Sequence, residues 1–152
     1  MEHLLAAIEG SAFAESLRWS RWTYPFVNAL HVVGLAALFG SILPLDLRML
    51  GLFRSVPLAG LTQTLRPVAA SGLALAVASG LALFSVRATE YAAMPLFRAK
   101  LALVAFGAAN ALLLTGPRIH AVRPGLLRLA GAASLLTWLA VIVAGRWLGY
   151  LD

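Results

Sequence analysis

Residues 22–45, WTYPFVNALHVVGLAALFGSILPL, contain no Asp, Glu, Lys or Arg, yet His31 sits a third of the way along them. Imidazole is a hydrogen-bonding group, a proton carrier and a ligand for haem iron or copper. At about 100° per residue, Tyr24, Asn28, His31, Gly34 and Leu38 share one side of a helix, a stripe of polar and small groups. An unsatisfied imidazole in lipid costs a few kcal/mol, so His31 is expected to face a bundle interior and bond to Asn28, Asn110, a hydroxyl or water. The sharper reading is axial ligation of haem b, with Gly34 one turn away leaving room for the flat macrocycle. That site needs an open axial position, Met94 displaced from its loop, or His31 of a second copy, because His3 and His120 lie outside the hydrocarbon core. Quinone contact and copper handling are further readings. Copper is disfavoured by a cysteine-free chain with one histidine at depth, since copper sites prefer sulfur or several imidazoles.

Asp46 and Arg48 follow Pro44 at the other end of the same segment. Two residues apart on a helix, they point in different directions and do not form a simple pair. Asp46 reads as an end-of-span anchor, with a functional carboxylate as the alternative. Toward the chain termini, Arg87, Glu90, Arg98, Lys100 and Arg146 gather at segment ends. They anchor to headgroups by snorkelling, or they form a basic mouth above His31 with Arg98, Lys100 and Arg146 near its entrance. Asn110 and Thr115 are candidates for hydrogen bonds between helices. P-loop, dinucleotide-glycine, HExxH and nucleophile-elbow patterns are absent, which argues against soluble-type hydrolytic chemistry and for a nonenzymatic role.

These residues need membrane helices to position them. Hydrophobic residues make up 61% of the 152 residues and charged residues 12%, about half the usual charged share of a soluble domain. Charge-free runs over 22–45, 67–86, 101–117 and 129–145 give roughly 25–36 Å of helix each, enough to cross a bilayer. The expected fold is therefore all-α: one domain over 1–152, an integral membrane four-helix up-down-up-down bundle with spans near 22–45, 67–86, 99–117 and 127–147. Segment 3–19 places Leu4, Leu5, Ile8, Ala12 and Phe13 opposite its acids, as a short interfacial helix does, and Gly10-Ser11 breaks it. Its acids and lack of a basic leader distinguish it from a secretory signal. Pro57 precedes a second interfacial segment, Pro95 starts the third span, and TGPRIHAVRPG is a polar turn.

The formal charge of +6 flanks the spans, so its partner is the lipid bilayer and not nucleic acid. Arg18, Arg21, Arg87, Arg98, Lys100 and Arg146 fall on the side of the termini, and Arg48, Arg54, Arg66, Arg118, Arg123 and Arg128 on the other. This tie leaves only the acids to lean toward both termini outside. Trp19, Trp22, Trp147 and Tyr150 fit an aromatic belt. Gly72, Ala76 and Gly80 form a small-xxx-small row expected to pack within the bundle, with a homo-oligomer seam as the alternative.

The Tyr-Pro…Leu-His…Gly…Asp-Leu-Arg series of the first span and the Phe-Arg-x-Lys…Asn pattern of the third resemble a family of small four-span bacterial membrane proteins of unknown function. The resemblance covers nearly the whole chain and implies a cytoplasmic (inner) membrane bundle. A looser similarity to copper-resistance and b-type cytochrome-like bundles implies a role near metal or electron transfer. Leu114-Thr115 stand where related sequences place Phe-His, so His31 is the one matching ligand here. The expected function is an accessory or assembly component of a membrane complex, partnered by another membrane protein or a second copy.

Overall fold

A computed structural model describes residues 2–113 and 123–150. Thr115, Arg118 and His120, together with most of the expected polar turn, lie outside the described residues. Among the described residues are seven helices: α1 (Glu2–Glu9), α2 (Ala12–Trp19), α3 (Thr23–Leu50), α4 (Leu58–Ser85), α5 (Ala88–Ala93), α6 (Pro95–Leu113) and α7 (Pro124–Leu148). Helices α3, α4, α6 and α7 are each long and apolar enough to cross a membrane. They carry large exposed apolar side chains such as Val33, Leu81, Phe106, Leu136 and Val143. Lipid tails are the solvent that such a surface requires, and the chain is an integral membrane protein.

The break at Gly10-Ser11 divides the N-terminal segment, and the Ser11 hydroxyl caps α2 by accepting from the Ala14 N–H at 3.2 Å. Helix α3 runs past Pro44 to Leu50, where Gly51 takes a left-handed φ of 104° and its N–H bonds the Arg48 carbonyl at 3.1 Å. The second span departs from expectation. Residues 58–66 are not a separate interfacial segment but the first turns of α4, and Pro67 lies inside that helix. An interior proline removes one hydrogen bond, and a membrane helix tolerates the loss when its neighbours resupply the freed group. The connection at RATEYAAMP folds into α5, and its Tyr91 ring lies 5.7 Å from that of Phe97, which stacks on Phe84 at 5.2 Å.

Small residues set the closest contact, between α3 and α4. A Cβ at Gly34 would lie 2.7 Å from the Ala76 nitrogen, and one at Gly72 would lie 2.5 Å from the Leu38 nitrogen. The row Gly72, Ala76, Gly80 is therefore used within the chain. Pairing of 34 with 76 and of 38 with 72 makes α3 and α4 antiparallel. Gly131 against Asp46 and Met49 does the same for α7 on α3, and Asn110 with Ala130 for α6 on α7. The packed order is thus α4, α3, α7, α6. Leu38, Ile42, Trp138 and Val141 form the core at mid-depth. Helices α4 and α6, consecutive long helices in the chain, face each other across a cavity instead of packing extensively.

At the terminus side, α1 and α2 fold over the ends of α4 and α5. The Glu9 carboxylate accepts from the Thr89 N–H at 3.1 Å, and Arg18 Nη2 donates to the Val86 carbonyl at 2.5 Å and lies 3.7 Å from Glu9. Ala14, Leu17 and Ala88 are buried beneath.

Candidate functional site

The His31 ring spans the α3–α4 contact. Its Nδ1 lies 2.9 Å from the Ala76 carbonyl and 3.1 Å from Ser79 Oγ. A carbonyl only accepts, so bonding to Ala76 places the proton on Nδ1 and leaves Nε2 with the lone pair in the neutral ring. Gly80 makes room, since a Cβ there would meet His31 Cε1 at 3.1 Å. The partner is therefore a backbone carbonyl and a hydroxyl of α4, not Asn28 or Asn110.

Of the residues expected around this imidazole, the structure brings in Lys100. Half-buried, it reaches Gly145, where a Cβ would be 3.3 Å from its Nζ, and its charge acts on His31. Tyr24 is 40% exposed and Asn28 is exposed, and the His31 Nδ1 bonds go to Ala76 and Ser79 instead. Arg146 also turns away: its Nη2 donates to the Tyr150 hydroxyl at 2.8 Å and its guanidinium stacks 4.5 Å from that ring. Arg98 is exposed and its Nη2 donates to the Ala93 carbonyl at 3.3 Å, so the expected basic mouth reduces to Lys100. Gly34 does not leave the room expected beside it for a macrocycle, because the Ala76 backbone fills that space.

A second constellation lies fifteen residues further along α3, roughly 22 Å away. Here the four spans enclose a cavity of about 330 Å³. Its walls are mostly apolar, with Leu38, Ile42 and Leu45 from α3 and Ala69 and Leu73 from α4. Five polar side chains also line it: Asp46, Thr62, Arg66, Asn110 and Ser134. Asp46 is 2% exposed, which corrects the expected boundary anchor. Ser134 hydrogen-bonds its carboxyl group, but Asp46 Oδ2 has no partner among the described residues. Arg48 bonds the Val56 and Arg54 carbonyls at 2.7 and 3.4 Å, which closes the 51–57 loop and leaves Asp46 alone, as their spacing predicts. Asn110 Nδ2 donates to the Ala130 carbonyl at 3.1 Å and clasps α6 to α7.

Trp138 also lines this cavity, at 3% exposure, and its Nε1 is the other buried polar atom without a partner among the described residues. Its ring lies against Gly107, where a Cβ would meet Cζ2 at 2.9 Å. Buried polar groups in native proteins are nearly always paired, so two orphans on residues that line one cavity call for an explanation. Sequence reading missed Trp138, Ser134 and Arg66. The available signal was position: Trp19, Trp22 and Trp147 sit at helix ends, whereas Trp138 lies mid-helix, where an indole N–H has no headgroup or water to bond.

The chain matches the Family of unknown function (DUF6644) over residues 20–151. No curated protein and no solved structure matches it.

Proposed function

We propose that this chain, which belongs to the DUF6644 family, is a nonenzymatic accessory protein of the bacterial cytoplasmic membrane, both termini outside, that holds a bilayer-soluble ligand between its spans. One observation carries the reading: Asp46, buried with Oδ2 unpartnered, lies on the wall of a mostly apolar cavity. Ligand sites have this character, concave and apolar with a few placed polar groups. A bilayer-soluble ligand would enter between α4 and α6, which pack little against each other.

Native mass spectrometry from mild detergent tests it. Wild-type protein is expected to retain a lipophilic adduct that Ala108→Phe, which fills the cavity, expels and His31→Ala does not. Loss in His31→Ala with retention in Ala108→Phe would sink the cavity reading in favour of a second one. In that reading a quinone contacts His31, whose Nδ1 is bonded to the Ala76 carbonyl of α4 and whose Nε2 keeps the lone pair. Copper handling lacks support, as no group of three His, Cys, Asp or Glu side chains gathers among the described residues.

A further inference from the structure

The chemistry around Asp46 narrows the ligand. We infer that the cavity takes a neutral lipophile with a hydroxyl head, an alkylphenol or long-chain alcohol, whose hydroxyl bonds Asp46 Oδ2. This rests on the cavity reading above.

The argument starts from the orphan atom. Ser134 serves the carboxyl group of Asp46, and Oδ2 is left over at a buried position. If the carboxyl is ionised, Oδ2 needs a donor; if it carries the proton, it needs an acceptor. A hydroxyl is both, so it satisfies Asp46 in either state. An ammonium serves only the carboxylate. An ether or ester serves only the acid. A ligand carboxylate would place a second acid beside Asp46. The remaining lining, led by Leu38, Ile42 and Leu73, suits a hydrocarbon body. A volume of about 330 Å³ is at the lower end for ligand pockets, so it encloses a head and part of a tail, and the rest leaves between α4 and α6. Water can also bond Oδ2, and equal binding of the neutral probes below is the outcome that would follow.

Full-length protein in lipid nanodiscs is titrated with 4-octylphenol, 4-octylanisole, octylbenzene, 4-octylbenzylamine and 4-octylbenzoate, and binding is read by native mass spectrometry at stated bilayer mole fractions. The phenol is expected to bind about tenfold more tightly than the anisole and octylbenzene, the factor that one buried hydrogen bond supplies. Asp46→Leu should erase that preference while octylbenzene still binds. The comparison in the unaltered chain stands even if this variant fails to fold. Equal binding of phenol, anisole and octylbenzene overturns the hydroxyl assignment and leaves the cavity reading intact. Tightest binding of the amine or the benzoate overturns it in favour of a cationic or an anionic ligand. No binding of any probe removes the cavity reading and this inference together.

Discussion

A single carboxyl group separates structure from function in this protein. Burying Asp46 with one oxygen unpartnered is costly, and replacement of such a group by an apolar side chain of similar volume is often neutral or stabilising. Asp46→Leu is accordingly expected to leave thermal stability in detergent unchanged or higher. Substantial destabilisation would mean that Asp46 holds helices together instead of awaiting a ligand. His31 and Asn110 should behave in the opposite way, since each clasps a helix pair through a backbone carbonyl, Ala76 on α4 and Ala130 on α7. His31→Ala and Asn110→Ala should each cost about 0.6–1.7 kcal/mol in reversible unfolding from detergent, the range for hydrogen bonds between membrane helices.

At the level of elements, the α3–α4 contact depends on missing side chains. Gly72→Val would drive a Cβ into the α3 backbone, which cannot yield as a flexible side chain would, so a loss of about 1–3 kcal/mol or more is expected in the same unfolding assay. The matching change at Gly60, which has open space around it, should have little effect. The N-terminal helices depend instead on a titratable latch. Hydrogen bonds from the Thr89 hydroxyl and then its N–H hold the Glu9 carboxyl below the usual carboxylate range, assisted by the charges of Arg18 and Arg87. A group whose folded value is depressed supports docking above its unfolded value and loses that support as pH falls through the folded one. Protease sensitivity at Gly10-Ser11 should therefore rise on acidification through and below the normal carboxylate range, and Glu9→Gln should flatten the profile.

For the whole molecule, four antiparallel spans impose a sidedness that the cysteine-free background makes measurable. Single cysteines at Ser20 and Ser55, before and after α3, should react with an impermeant thiol reagent from opposite sides of intact cells. With both termini outside, Ser20→Cys labels and Ser55→Cys does not; the reverse pattern would invert the proposed orientation. The packed order α4, α3, α7, α6 also matters at this scale. It leaves one face of the bundle without a tight helix pair, and the cavity beside Asp46 lies there.

Hydropathy is a property of the linear chain, so the four spans, the break at Gly10-Ser11 and the start of the third helix at Pro95 were legible without coordinates. Small-residue spacing is similarly local, and Gly72 and Ala76 pack as their row predicts. Which helices leave a gap depends on side-chain volumes matched across chain-distant pairs, and no local pattern records that. Only tertiary structure placed the Ala76 backbone against Gly34, turned Arg146 outward, carried α4 through Pro67 and buried Asp46 beside Ser134 and a mid-helix Trp138. Sequence determined that lipid surrounds this chain; packing decided where its interior keeps unsatisfied hydrogen bonds.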